Sequence, residues 1–166
     1  MIRNHYSSKN WEGQLNFQAL RDKRNGGQTI LENPYLSSQT IDHFNISSKI
    51  GYLGFNNPNK SIGSIWDFSF STLDGNYGKR FGLNAIEYHA LGQIIFSWTS
   101  NGDHHKFDYG PVANLNIATE TLSDQGTTNK ISYNQITAGA FIDYQFKVGK
   151  VGECDLDRLV LTLSQR

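Results

Sequence analysis

Three groups of residues in this 166-residue chain have types and spacings that could do chemistry. The first is the pair His104 and His105, next to the turn signal "NGDH" at 101–104. Adjacent imidazoles suggest a metal, but neighbouring residues on a strand point to opposite faces, so that pair alone is a poor chelate. A solvated turn and no metal site are expected. The second is His89 with Glu87 and Gln93, whose types suit acid/base work. No motif supplies a serine nucleophile beside them, so a polar contact and no enzyme are expected. The third is "RDKRNGGQ" at 21–28, read as part of a long polar loop. There Arg21, Lys23 and Arg24 could meet an anionic ligand, and Gly26 and Gly27 permit close backbone approach; the plain alternative is a solvated loop. The following "GQTILENPY" has neither the strand-to-helix setting nor the spacing of a phosphate loop, and no cofactor is expected.

Composition narrows the partners. Fifteen Lys and Arg balance fifteen Asp and Glu, so no basic field exists to hold a nucleic acid. Cys154 is the single cysteine, which excludes an internal disulfide or a multi-thiolate metal site. Aromatic residues at 13% are too rich for a disordered chain. No window reaches the roughly 18 apolar residues of a transmembrane helix, and "MIRNHYSSKN" lacks the apolar core of a signal peptide. Transmembrane β-strands, being short and half polar, escape such averaging.

Stepping along the chain at period two exposes the elements that must position these groups. In "KFDYGPVANLNIATE", 106–120, Phe107, Tyr109, Pro111, Ala113, Leu115, Ile117 and Thr119 share one parity and Lys106, Asp108, Asn114, Asn116 and Glu120 the other. Five more segments alternate in the same way, around 10–20, 44–54, 61–71, 85–99 and 136–146. Ile65, Leu91, Ile95 and Phe141 break step. The segments between them look alternately longer (21–40, 73–82, 121–130) and tight (56–60, 101–104, 147–150), and carry the Gly, Pro, Asn and Asp that turns require. Successive antiparallel strands would then place all tight turns at one end of the sheet. The reading is an all-β antiparallel up-and-down meander of six or seven long strands, with "ECDLDRLVLTLSQR" a poorly alternating tail that could be a seventh strand or a short helix.

The apolar faces contain no charged residue, His, Asn or Gln, whereas Glu12, Asp67, Glu87, His89, Asp108 and Glu120 fall on the opposite faces. A soluble lipocalin-like barrel or sandwich that binds a small apolar ligand would bury such a face inward; a membrane barrel turns it to lipid and its polar face to the lumen. Segments of 11 to 15 residues exceed the usual strand and suit a tilted bilayer crossing. Trp11, Tyr52, Trp98, Tyr109 and Tyr144 all lie on the apolar face near the tight-turn ends, as a membrane-interface aromatic girdle requires. Six or seven strands cannot close into the even-numbered barrels of bacterial outer membranes, so the expectation is a sector of a larger transmembrane β-barrel.

"GQLNFQALRDKRNGGQ", "KIGYLGFNNPNKSIGSIWDFSFS", "FGLN", "HHKFDYGPVANL" and "YNQITAGAFIDYQFK" resemble consecutive hairpins from the barrel of TonB-dependent outer-membrane receptors of the Bacteroidetes type, over roughly residues 4–147. The resemblance implies a 22-stranded barrel occluded by a plug, in the cell outer membrane. It would import a scarce ligand such as a siderophore chelate, cobalamin or a glycan, with the TonB complex as partner through the intact receptor. No signal peptide, TonB box or plug is recognisable, and a truncated reading frame with a tail shifted out of register would account for both ends. The expected organisation is a partial barrel over 1–150, inactive alone, in contact with outer-membrane lipid and the remainder of the barrel and plug, followed by an atypical tail over 151–166.

Overall fold

The computed structural model describes residues 1–28, 35–78, 80–100, 104–147 and 153–165. Eight strands form one sheet in chain order: β1 (Ile2–Ser7), β2 (Trp11–Gln28), β3 (Tyr35–Tyr52), β4 (Lys60–Tyr77), β5 (Phe81–Thr99), β6 (His105–Asp124), β7 (Thr127–Lys147) and β8 (Glu153–Gln165). Each strand pairs antiparallel with the next, and β1 and β8 do not pair with each other. The fold is therefore an all-β up-and-down meander, open at both edges. Among the described residues there is no helix.

The register aligns the apolar parities of six strands. Phe17, Ile46, Phe68, Ala90, Leu115 and Ile136 stand opposite one another along one rung, and Leu15, Ser48, Trp66, Gly92, Ala113 and Ala138 along the next. Because directly opposed residues point to the same side, all six apolar faces merge into one. A slip of one residue anywhere would mix them, so the alternation itself specifies the register.

Three expectations need correction or completion. The strands β2 to β7 run for 18 to 21 residues, well past the alternating apolar segments. What looked like longer loops is mostly strand: 21–28 belongs to β2, 35–40 to β3, 73–77 to β4 and 121–124 to β6. The supposed contrast between long and tight ends therefore vanishes. Polar, glycine-bearing sequence reads as loop, but a ladder of paired strands satisfies the same backbone groups whatever the side chains. The true turn between β6 and β7 is only Gln125 and Gly126, both at positive φ (47° and 89°), the two-residue geometry that matches strand twist. Residues 29–34, 79, 101–103 and 148–150 of the expected connections, and 151–152 of the expected tail, lie outside the described residues.

Second, β1 exists. Its pairing with β2 places Ile2, Asn4 and Tyr6 opposite Phe17, Leu15 and Gly13. Third, of the two readings left open for the tail, strand or short helix, the strand is the one observed, in the same sheet. Its alternation fails because Leu156 and Leu159 differ in parity, yet the register takes Leu159 opposite Ile142 and Leu156 opposite Tyr144. One extra residue on β8, a β-bulge, restores the phase that the sequence lacks.

Candidate functional site: the two faces and the aromatic girdle

Exposure on this sheet is inverted relative to a soluble one. Trp66 is 42% exposed, Phe68 48% and Tyr109 49%, all on the apolar face, and Leu15, Ile50, Ile86, Tyr88, Ile136 and Ile142 on that face are exposed as well. The buried hydrophobic residues, Ala118 at 7% and Phe141 at 4%, both lie on the charged side. The sheltered groups, Phe141, Ala118, Asp108 Oδ1 and Asn114 Oδ1, are all on the charged side, although Leu20, Ile131 and Tyr133 on that side stay exposed. No described element covers the apolar face.

The apolar face is a band with two unlike borders. At one end Trp11 packs on Tyr52 with centroids 4.7 Å apart, Trp98 on Phe107 at 5.5 Å, Phe107 on Tyr144 at 4.5 Å and Phe96 on Tyr109 at 5.5 Å. The five girdle residues expected from sequence thus fall on two adjacent rungs. Trp11 and Tyr52 share a rung with Ile62, Phe96 and Tyr109, and Trp98 and Tyr144 share the next with Lys60 and Phe107. Phe55 of the β3–β4 turn folds back edge-on to Tyr52 at 5.1 Å. His105 extends the row, its Nδ1 lying 2.7 Å from the Tyr144 hydroxyl. Among the described residues no group of three His, Cys, Asp or Glu is placed together to hold a metal.

The other border is abrupt. Ala19, Phe44, Phe70, Tyr88 and Ile117 form the last apolar rung; the next reads Arg21, Asp42, Thr72, Ile86, Thr119 and Ser132, and the one after it Lys23, Thr40, Asp74, Asn84, Thr121 and Lys130. Arg21 grips Asp42 through two bonds, Nε–Oδ1 at 2.8 Å and a guanidinium nitrogen to Oδ2 at 3.0 Å. On the other side of β2, Arg24 pairs with Asp22 at 2.7 Å. The residues Arg21, Lys23, Arg24, Gly26 and Gly27 are thus strand, not loop, and lie on both faces of it: Arg21, Lys23 and Gly27 on one, Arg24 and Gly26 on the other. They do not converge on a single pocket, and two of the three cations already hold carboxylates.

On the polar face, Glu12, Asp67, Glu87, His89, Asp108 and Glu120 all occupy the expected side. They are spread over several rungs and form no acid/base centre. One rung is wholly polar, Gln18, Asn45, Ser69, His89, Asn116 and Gln135, and its neighbour brings Asn16, Ser47, Asp67, Asn114 and Thr137. Asp67 Oδ1 accepts from Asn45 at 2.9 Å and lies 3.9 Å from His89 Nδ1. Asn16 donates to Ser47 at 3.1 Å and accepts from Gln14 at 2.9 Å and Arg3 at 3.1 Å. Lys106 Nζ reaches Asp108 Oδ2 at 2.9 Å, while Asp108 Oδ1 and Asn114 Oδ1 are sheltered from solvent without a hydrogen-bond partner.

A feature the sequence hid lies just below this belt. Ile65, Leu91, Ile95 and Phe141, which break the alternation, sit on neighbouring rungs of the polar face together with Val112. Gly51 and Gly63 are opposed beside them, and Gly139 is opposite Val112. Gly110, opposite Phe141, lies so close to β5 that a methyl group there would strike the Ile94 carbonyl. The polar face therefore holds an apolar cluster, interrupted by Gln93 between Ile65 and Val112, with a nearly bare backbone beside it. Irregularities scattered along the sequence become one surface only once the register is known.

The sequence matches no known family pattern, and no curated protein resembles it closely enough to count as a relative.

Proposed function

We propose that the chain is a sector of an outer-membrane β-barrel of the TonB-dependent receptor type, whose whole imports a scarce ligand such as a siderophore chelate, cobalamin or a glycan. The observation that carries the reading is the merged apolar face of six strands, free of charge from rung to rung across the band and with Leu15, Ile50, Trp66, Phe68, Tyr109, Ile136 and Ile142 exposed, while the buried Ala118 and Phe141 lie on the charged side. Water would penalise that surface at roughly 25 cal/mol per Å2, whereas hydrocarbon does not. The band measures nine to eleven residues per strand, such as 11–19 in β2 and 107–117 in β6, the length of a tilted bilayer crossing of about 9–11 residues. The strands continue beyond it with a polar outward face, Arg21, Asp42, Thr72, Lys23, Asp74 and Lys130, while the other face carries Ile41, Leu73, Leu83, Leu122 and Ile131 among polar residues.

Two further points favour a large, occluded barrel. The unpaired edges of β1 and β8 would cost several kcal/mol per backbone group in hydrocarbon, so both edges call for neighbouring strands. The apolar and glycine patch on the inner wall suits a packed protein segment, as a plug would supply, better than a water-filled channel. The fragment alone transports nothing and has no catalytic role. A lipocalin-like domain would need the apolar face turned inward, and no observation favours that.

Fractionation tests the assignment. The expressed chain should stay with the membrane or inclusion pellet without detergent, and gain protease-resistant β structure when detergent is added. A stable, protease-resistant monomer in plain buffer would reject it.

A further inference from the structure

The girdle is not uniform along its rungs. Between the β3–β4 turn and the start of β6 the rings part to leave a groove walled by Phe55, Ile62, Phe96, Trp98, Phe107 and Tyr109, with Lys60 among its lining residues. Phe55, borne by the turn, is folded back against Tyr52 and forms part of this wall. Lys60 is opposite Trp98 on the apolar side of β4, is exposed, and has no carboxylate within ion-pair distance among the described residues. The far border of the band differs, since its first cation, Arg21, is neutralised by Asp42. An exposed, uncompensated ammonium at the aromatic border of an apolar groove attracts an amphiphile with an anionic head and a hydrocarbon tail.

We propose that this groove binds an anionic phospholipid, the phosphate against Lys60 Nζ and one acyl chain along Trp98 and Phe107. The inference rests on the membrane reading of the apolar face and adds to it a preferred lipid at a fixed place. Lysine contributes the charge and the rings contribute a wall that a straight chain can follow, so selectivity depends on both.

Tryptophan quenching by brominated phospholipids separates the two claims. In vesicles of neutral phosphatidylcholine, a chain whose only tryptophan is Trp66 (Trp11→Phe, Trp98→Phe) reports simple contact with hydrocarbon. A chain whose only tryptophan is Trp98 (Trp11→Phe, Trp66→Phe) reports the groove. Brominated phosphatidylcholine and brominated phosphatidylglycerol should quench Trp66 alike. Trp98 should reach half-quenching at a roughly fivefold lower fraction of brominated phosphatidylglycerol, the preference one lysine near a membrane surface confers. Lys60→Gln should abolish that preference, Lys60→Arg should keep it and Lys130→Gln, at the opposite end of the strands, should leave it unchanged. Should Lys60→Gln fail to insert, the parent chain still decides, because about 1 M salt should erase a preference based on charge. Quenching of Trp66 without any lipid preference at Trp98 overturns the groove and leaves the membrane reading standing. Absence of quenching at both positions overturns both.

Discussion

The lower and upper halves of the same strands share one hydrogen-bond ladder and differ almost entirely in side chains. From Trp11 to Ala19 the outward positions of β2 are apolar or glycine, and from Arg21 to Asn25 they are charged or polar, with no change in pairing to β3. The ladder fixes where backbone groups go; the side chains decide which medium each stretch can meet. One half is apolar on one face and mostly polar on the other, while in its continuation the outward face turns polar and the other gains Ile41, Leu73, Leu83, Leu122 and Ile131. The border between them is set by Arg21 and Asp42 rather than by any end of secondary structure.

The sharpest way to break this comparison is to put one charge into each half. Ala113 lies near the middle of the β6 band, on the rung of Trp66 and Gly92, and Ala113→Arg should cost roughly 2–4 kcal/mol of folding free energy in vesicles. Leu115, a residue nearer the polar border, should cost less. Thr121→Arg, on the same face but in the continuation, should cost about 0–1 kcal/mol, and so should Asn116→Arg on the polar face of the band. Urea titration of vesicle-inserted protein measures all four. Equal losses at 113 and 121 would dissolve the distinction between the halves.

Backbone contacts come next in size. At Gly110 even a methyl group would displace β5, and Pro111 beside it can donate no ladder bond, so the strands here depend on close approach. Gly110→Ala should destabilise by roughly 1–3 kcal/mol. At Gly92 the obstacle is instead the Trp66 ring, which occupies the space a side chain would fill. A Gly92→Val change should therefore cost less, because an indole on an open surface can rotate away, and it should shift Trp66 emission where Gly110→Ala does not.

How far the sequence could be read follows the same division. In the band one face is apolar and the other mostly polar, so the alternation disclosed strand identity, faces and register, from Phe107–Ile117 to Ile62–Phe70. In the continuation, Arg21–Gln28 has no apolar side chain and Thr121–Asp124 only Leu122, so period two shows little hydrophobic contrast there and both looked like loops. β1 is too short, and β8 too disturbed by its bulge, for the pattern to show. The stretch expected as a loop at 21–28 is strand, and its cations and glycines alternate between the two sides instead of gathering. The inner apolar patch was visible only as a set of errors in the alternation, because its members come from four strands.

The smallest expected effect sharpens the border itself. Arg21 and Asp42 form a two-bond ion pair, but both side chains are largely open to solvent, at 64% and 41% exposure. In water such a pair contributes about 1 kcal/mol or less, and salt weakens it. Asp42→Ala should therefore cost little in stability while leaving Arg21 uncompensated one rung beyond Phe44. If that rung lies at the membrane surface, the freed guanidinium gains anionic headgroups as partners. The variant's stability should then rise relative to the parent as phosphatidylglycerol replaces phosphatidylcholine, by an amount comparable to the lost pair. A penalty independent of lipid charge would place Arg21 out in bulk water and move the border inward.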